Sequence, residues 1–436
     1  MNANTNEFSL VKGGPFHALL MRLRLVGDDH LPTMTAAFVL AVIAWLPCAL
    51  LSVADYLSSE STAALSFFRD YNAYIRNLLA ISVMVITERA AHTRLTPIVT
   101  QFERAGLIDP VSGQQYHDAL ERADKRSSSS IAELVILVTV MVIALFFASI
   151  DLELGGFQWD GQVVDGVAVY SWAGWWSHWV TKPLFQFLVL RWFWRFAVWG
   201  WLLFRISRLR LRLVAYHPDS SGGLGFLSVY PMVFTGFIFA LSSVLGAELV
   251  SEFRQGVMSL EVQRALMIAW VAFVLLVFVG PLMVFLRPLH RLRERSIFRL
   301  GRIASEHQAA FKRKWLDQEV SGHELLGSAD ISSASDIVPI AAAPYSLRVL
   351  PVSIPMVIQL AGAAGVPMLV VVATQMPLKE FVGYLVGIVL SSCRELSGLA
   401  PGLLPGAPHQ YQNLTMYCLP SRQTLNALLK LLRCCW

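Results

Sequence analysis

Charge is what this sequence has least of. Only 15% of its 436 residues are Asp, Glu, Lys or Arg, against 55% hydrophobic. With a mean hydropathy of +0.54, that composition excludes an ordinary water-soluble globular chain. Cysteine is scarce as well. There are five, no two spaced as CxxC, so neither a zinc site nor a thioredoxin-like redox pair is indicated. Enzyme signatures are missing: no G-x-S-x-G, no P-loop, no HExxH, and no GxGxxG opening a helix after a strand. The reading is of a non-enzyme with no metal and no cofactor. The net charge of +5 does not point to nucleic acid, because the basic residues flank long apolar runs. Topology and anionic lipid headgroups at the inner face explain them more simply.

Long apolar runs are what the sequence does contain. A membrane-spanning helix needs about 20 mostly apolar residues. Pro32–Val53, Ile131–Ile150, Pro183–Ile206, Leu227–Glu248 and Ala265–Leu286 qualify. Tyr71–Thr87 is shorter and carries Arg76 and Asn77. Pro355–Ala373 is interrupted by Gly362, Gly365 and Pro367. The positive-inside rule argues for counting Tyr71–Thr87 as a span. Arg89, Arg94, Arg104, Arg122, Lys125 and Arg126 then share one side with Arg208, Arg210 and Arg212 and with the six arginines of 287–302. The opposite loops carry Asp55, Glu60, Asp151, Glu153, Asp160, Asp165, Glu252 and Glu261. Omitting that span destroys the alternation. The expected fold is therefore an all-α polytopic transmembrane bundle of six to seven spans, with its N-terminus in the cytoplasm and amphipathic cytosolic helices.

The expected organisation runs as follows. Residues 1–31 form a cytosolic N-terminal segment. Residues 32–286 form a six-span core with an inner loop at 88–130. Residues 287–350 form a cytosolic basic amphipathic helix and a polar loop. Leu289, Leu292, Ile297, Leu300, Ile303, Ala304, Phe311 and Trp315 share one stripe of that helix. Residues 351–390 hold a seventh span with an amphipathic end. Residues 391–436 lose periodicity and form an atypical tail. No inverted repeat is visible between the first and second halves of the core.

A few residues have no hydrophobic reason to be where they are. Arg191 and Arg195 lie inside the run FQFLVLRWFWRFAVWGWLLF and share a helix face. A charge near a bilayer centre costs at least ~2.5–3.5 kcal/mol and must face protein or water. Arg195 is expected to lie nearer the midplane, and Arg76 with Asn77 at the depth of Arg191. Two readings stand side by side. One is an ion site or anion path formed by Arg76, Asn77, Arg191 and Arg195, which makes the protein a transporter or channel. The other is an ion-pair lock to Asp70, Asp151, Glu153 or Glu248, in a non-transporting scaffold or signalling protein that works through its cytosolic segments. Glu133 is read as structural, with Arg126 or Arg205 as its partner. A homo-oligomer is compatible with either reading.

His217-Pro218-Asp219-Ser220-Ser221-Gly222-Gly223-Leu224-Gly225-Phe226-Leu227 reads as a structural turn between two spans. Pro218 is expected to end the preceding helix, Asp219 to cap, and Gly222 and Gly223 to supply positive φ. His217-Pro218-Asp219 is also the tripeptide of J-domain co-chaperones, but that fold needs soluble amphipathic helices on both sides. The string HPD-x-x-GGL-x-FL after an RWFWR-like helix resembles an uncharacterised family of multi-pass bacterial inner-membrane proteins. The resemblance covers roughly residues 70–389 and not the tail. It implies a helical bundle in the bacterial inner membrane, and it implies no activity.

Overall fold

The computed structural model describes residues 9–10, 13–27, 31–59, 64–154, 159–164, 167–254, 259–317 and 329–373. The expected tail at 391–436 and the amphipathic end after Ala373 lie outside the described residues.

The fold is an all-α bundle. Its helices are α1 (Pro15–Arg22), α2 (Met34–Ser59), α3, α4 (Gly113–Ser127), α5 (Ser130–Leu154), α6, α7 (Thr235–Arg254), α8 (Leu260–Val279), α9 (Leu286–Trp315), α10 (Ala329–Ser346) and α11 (Ile354–Ala373). Two of them are continuous but irregular. Helix α3 comprises Tyr71–Tyr74, a π turn at Ile75–Ala80, and Ile81–Arg104. Helix α6 comprises Trp172–Trp176, a π turn at Ser177–Thr181, and Lys182–Ser207. A small antiparallel ribbon, β1 (Gly161–Val164) with β2 (Val167–Tyr170), pairs Gly161 with Tyr170 and Val164 with Val167.

Five helices are long and apolar enough to cross a membrane: α2, α5, α6, α7 and α8. Helix α11 holds a shorter apolar stretch, Ile354–Val370. The outer faces of these helices are apolar. On α5, Ile131, Leu134, Val138, Leu145 and Phe146 are exposed, a continuous surface that water would not tolerate. The chain is a membrane protein. Helix α3 is not among the five, because Arg76, Glu88, Arg89 and Arg94 dilute it. It is nonetheless central, packed against α2, α6 and α7.

The bundle has two chemically distinct ends. At one, which we call the acidic end, Trp159 Nε1 donates to Asp70 Oδ2 (2.8 Å) and the Ser171 hydroxyl to Trp159 O (2.9 Å). These contacts hold the starts of α3 and α6 together. At the other, basic end, three helices begin at one level. Gly236 lies against Thr87, and Gln359 Nε2 donates to Thr235 Oγ1 (3.0 Å). Helix α5 starts there too, since its Glu133 reaches α6.

This arrangement corrects the expected placement of the fourth apolar segment. It begins at Trp172, not Pro183, and the continuous helix is 36 residues long. That is ~54 Å at 1.5 Å per residue, against a hydrocarbon core of ~30 Å. The distal half of α6 leaves the apolar layer and packs on the polar helix α4, where Trp194 Nε1 donates to Arg126 O (3.1 Å) and Arg126 lies over the Trp201 ring. The fifth apolar helix likewise begins at Thr235 rather than Leu227, after two short helical turns at Gly225–Val229 and Tyr230–Val233.

Candidate functional site

Arg191 and Arg195 are both buried, on the face of α6 that meets α3 and α5. Arg191 Nη1 donates to Glu88 Oε1 at 2.7 Å, and Arg191 Nε to Glu133 Oε1 at 2.9 Å. Arg195 Nη1 lies 2.9 Å from Glu88 Oε1, and its Nη2 donates to Glu88 Oε2 at 3.4 Å. Two cations face two carboxylates, and the charges cancel. Glu88 bridges both arginines, while Glu133 serves Arg191. The four side chains come from three helices, so the quartet ties α3, α5 and α6 together at the basic end.

The N-terminal segment closes this cluster. Phe16 N donates to the remaining oxygen of Glu133 at 2.8 Å, and Arg191 lies over the Phe16 ring at 4.8 Å. His17, the next residue, is buried. Further along, the Ser127 hydroxyl donates to Ser9 O (3.2 Å), and Ser9 Oγ meets His92 Nδ1 (3.0 Å). Gly14 is required here. Its φ is +86°, and a Cβ would lie 2.5 Å from Glu133 Oε1.

Several expected partners turn out to be engaged elsewhere. Asp70 caps α3 through Asn72 N (2.9 Å) and accepts from Trp159, so it is not a partner of either arginine. Glu248 accepts from Asn72 Nδ2 at 2.8 Å. Glu133 pairs with Arg191 rather than with Arg126 or Arg205. The side chains of Asp151 and Glu153 lie outside the described residues. Arg195 sits one turn beyond Arg191 along α6, toward the basic end, and shares Glu88 with it. Arg76 and Asn77 do not join the quartet. Three turns of α3 separate them from Glu88, and Arg76 Nε donates to Asn77 Oδ1 at 3.4 Å.

Glu88 is the residue that the sequence reading placed in the inner loop. Its signal was its stripe. Asn77, Ile81, Met84, Glu88, Ala91 and Leu95 follow helical spacing, and every one of them is buried. A carboxylate on an otherwise apolar face needs a cation opposite it.

The glycine-rich loop is built around one carboxylate. Asp219 Oδ1 accepts from Ser221 N (2.8 Å) and Gly223 N (3.1 Å), and Oδ2 from Gly225 N (2.7 Å). His217 Nδ1 lies 2.9 Å from Asp219 Oδ1. Burial works against the charged form. The N–H groups of Ser221, Gly225 and Gly223 and the His217 ring outweigh it and hold this carboxyl below the usual carboxylate range. Gly222 and Gly223 have φ of +68° and +96°. Pro218 does not end the preceding helix, because α6 stops at Ser207. The loop instead docks on α9, with Gly222 against Leu289 and Leu292.

Among the described residues no group of three His, Cys, Asp or Glu side chains could hold a metal ion. No protein-family model matches the chain, and no curated protein or solved structure matches it either.

Proposed function

We propose that the chain is a multi-pass protein of the bacterial inner membrane, with its N-terminus and basic end in the cytoplasm. In this reading it is a scaffold or signalling component that works through its cytoplasmic helices and does not catalyse a reaction. The observation that carries the proposal is the closed charge balance of Glu88, Glu133, Arg191 and Arg195. Arginines that conduct an anion must exchange partners readily. These two are buried against carboxylates, and the N-terminal segment seals Glu133. The cluster therefore favours a lock over a path.

The working surface in this proposal is the α9–α10 hairpin. Helix α10 packs along α9, with Trp315 Nε1 donating to Asp330 (3.1 Å) at one end and Arg293 Nη2 to Tyr345 O (3.2 Å) at the other. The opposite face of α9 is left with an exposed row, Arg287, Arg291, Arg295, Arg299 and Arg302, spaced by about one turn. The proximal end of that row joins α8 and the apolar layer, where anionic headgroups gather at a cytoplasmic leaflet.

The test has two arms. Single cysteines at Tyr216 and Ser58, in a background without native cysteines, are probed with an impermeant reagent in intact cells. Ser58 should react and Tyr216 should not; the reverse overturns the orientation. Limited proteolysis of the hairpin in nanodiscs should be slower with anionic lipid than with neutral lipid. Equal rates would refute the headgroup contact.

A further inference from the structure

Helix α1 meets the quartet on one side, and its other side is exposed. Its level in the bundle follows from its neighbours. Helices α2 and α6 run antiparallel: Cys48 Sγ lies 4.0 Å from Ala173 O, and the Thr181 hydroxyl donates to Ala44 O at 2.9 Å. Ten residues before Ala44 is Met34, where α2 starts, and ten after Thr181 is Arg191. Each step is ~15 Å, so α2 begins at the level of Arg191. Glu133, in the first turn of α5, bonds Arg191 and belongs to the same level. Helix α1 is tied to both of these starts. At one end Phe16 N donates to Glu133 (2.8 Å), and at the other the Thr33 hydroxyl donates to Leu25 O, just past the helix (2.9 Å). Helix α1 therefore lies across the bundle, along the membrane plane, where two apolar helices begin.

It lies on the flank of α6, not under its end. The Phe16 ring packs on Phe187 (5.3 Å), one turn from Arg191 toward the acidic end, while α6 runs on to Ser207. His17 and Leu20 are buried inward. The opposite face carries Leu19 and Leu23, one turn apart and 51% and 56% exposed, with Arg22 beside them and Arg24 just beyond. Both arginines are exposed as well. Near this level the neighbours also expose apolar side chains: Met34 and Phe38 on α2, Ile131 and Leu134 on α5. The two leucines thus extend the apolar surface of spanning helices, and the arginines beside them match the phosphates at its edge. A helix of eight residues offers a face only ~12 Å long. That is too little for a stable protein interface, which buries about 1,200–2,000 Å².

We propose that α1 is an in-plane interfacial helix that binds the phospholipid leaflet, with Leu19 and Leu23 among the acyl chains and Arg22 and Arg24 on headgroup phosphates, and that this contact holds the N-terminal segment over Glu133. Lipid grips one face of α1 and the quartet the other, so the seal on Glu133 depends on the bilayer. The inference rests neither on the scaffold reading nor on which side of the membrane the basic end faces.

The test uses the full chain in nanodiscs of phosphatidylcholine and phosphatidylglycerol. A single cysteine carrying a fluorophore replaces Leu19 or Leu23 in a background without native cysteines. Leu134→Cys on α5 is the lipid reference, and Glu121→Cys on α4 is the water reference. Quenching by nitroxide-bearing acyl chains is compared with quenching by aqueous iodide. The ratio at 19 and 23 should match that at 134. A ratio like that at 121, or protection from both quenchers by a second copy or another protein, overturns the lipid contact. Leu19→Gln/Leu23→Gln should speed protease cleavage within residues 1–25 several-fold in nanodiscs, and an unchanged rate overturns the seal. The unaltered chain provides a check that needs no variant. With phospholipid carrying an acyl-chain diazirine, photo-adducts should appear within residues 15–23 as well as on α5, and adducts on α5 alone overturn the proposal.

Discussion

Neutralising Glu88 should unlock the quartet, and the size of the effect tells whether charge or simple hydrogen bonding holds it. In Glu88→Gln the cluster keeps two arginines against one carboxylate, Glu133. Arg191 retains its partner. Arg195 loses its ion pair with Glu88 while staying buried. Breaking one side of a buried ion pair costs about 3–5 kcal/mol. A neutral interhelical hydrogen bond in a membrane protein averages only ~0.6 kcal/mol. The two accounts therefore differ several-fold. Arg195→Met alone leaves the cluster with one surplus negative charge, which Arg191 shares between two carboxylates, so its cost should be smaller. In Glu88→Gln/Arg195→Met the balance returns, with Arg191 on Glu133. The double variant should recover most of the stability lost in Glu88→Gln, and its coupling should have the sign of a rescue. Denaturant titration of the purified chain, followed by tryptophan fluorescence, measures all four proteins. A double variant no more stable than Glu88→Gln would refute the reasoning, as would a Glu88→Gln cost below ~1 kcal/mol.

Two further outcomes follow from the loops. Gly14→Ala should weaken docking of the N-terminal segment, because its methyl would meet the Glu133 carboxylate; faster protease cleavage within residues 1–25 checks this, and Gly106→Ala, where nothing lies near, serves as a control. Asp219 has its carboxyl held below the usual range by loop N–H groups, so its contribution is full above the unfolded value of ~3.9 and is lost as pH falls through the lower folded value. Asp219→Asn keeps an acceptor but removes the charge, so the stability difference between it and the unaltered chain should be constant from neutral pH to about 5 and shrink only in stronger acid. A difference that already shrinks between pH 7 and 6 would refute this account.

Much of the architecture was legible in the sequence. Hydropathy alone marks the apolar helices, because each must be apolar along about 20 residues whatever its neighbours. The same logic flags Arg191 and Arg195, since a charge within such a run is anomalous without any knowledge of the fold. Gly222 and Gly223 announce left-handed backbone because few other residues adopt it. What the sequence could not carry was register. Where α6 enters and leaves the layer depends on which neighbour its side chains meet. Its apolar run continues because α4 and the short helical turn at Gly280–Phe285, just before α9, cover it there. Arg195 lies one turn beyond Arg191 toward the basic end, where Glu88 serves both.

Partner choice was equally a tertiary matter. Asp70, Glu133, Glu248 and Glu88 are equivalent as carboxylates in a sequence, and helical spacing says only which residues share a face. Which faces meet is decided by packing across α3, α5 and α6, whose paired residues lie 58 and 103 positions apart. The two π turns belong to the same category. Each inserts one residue's worth of rotation to suit the neighbour on α2, and nothing in Ile75–Ala80 or Ser177–Thr181 as a string requires it. The sequence by itself determined that this protein holds charge inside an apolar bundle. Only the folded arrangement decided that Arg191 and Arg195 are compensated by Glu88 and Glu133, because compensation depends on distances between helices and no local pattern encodes them.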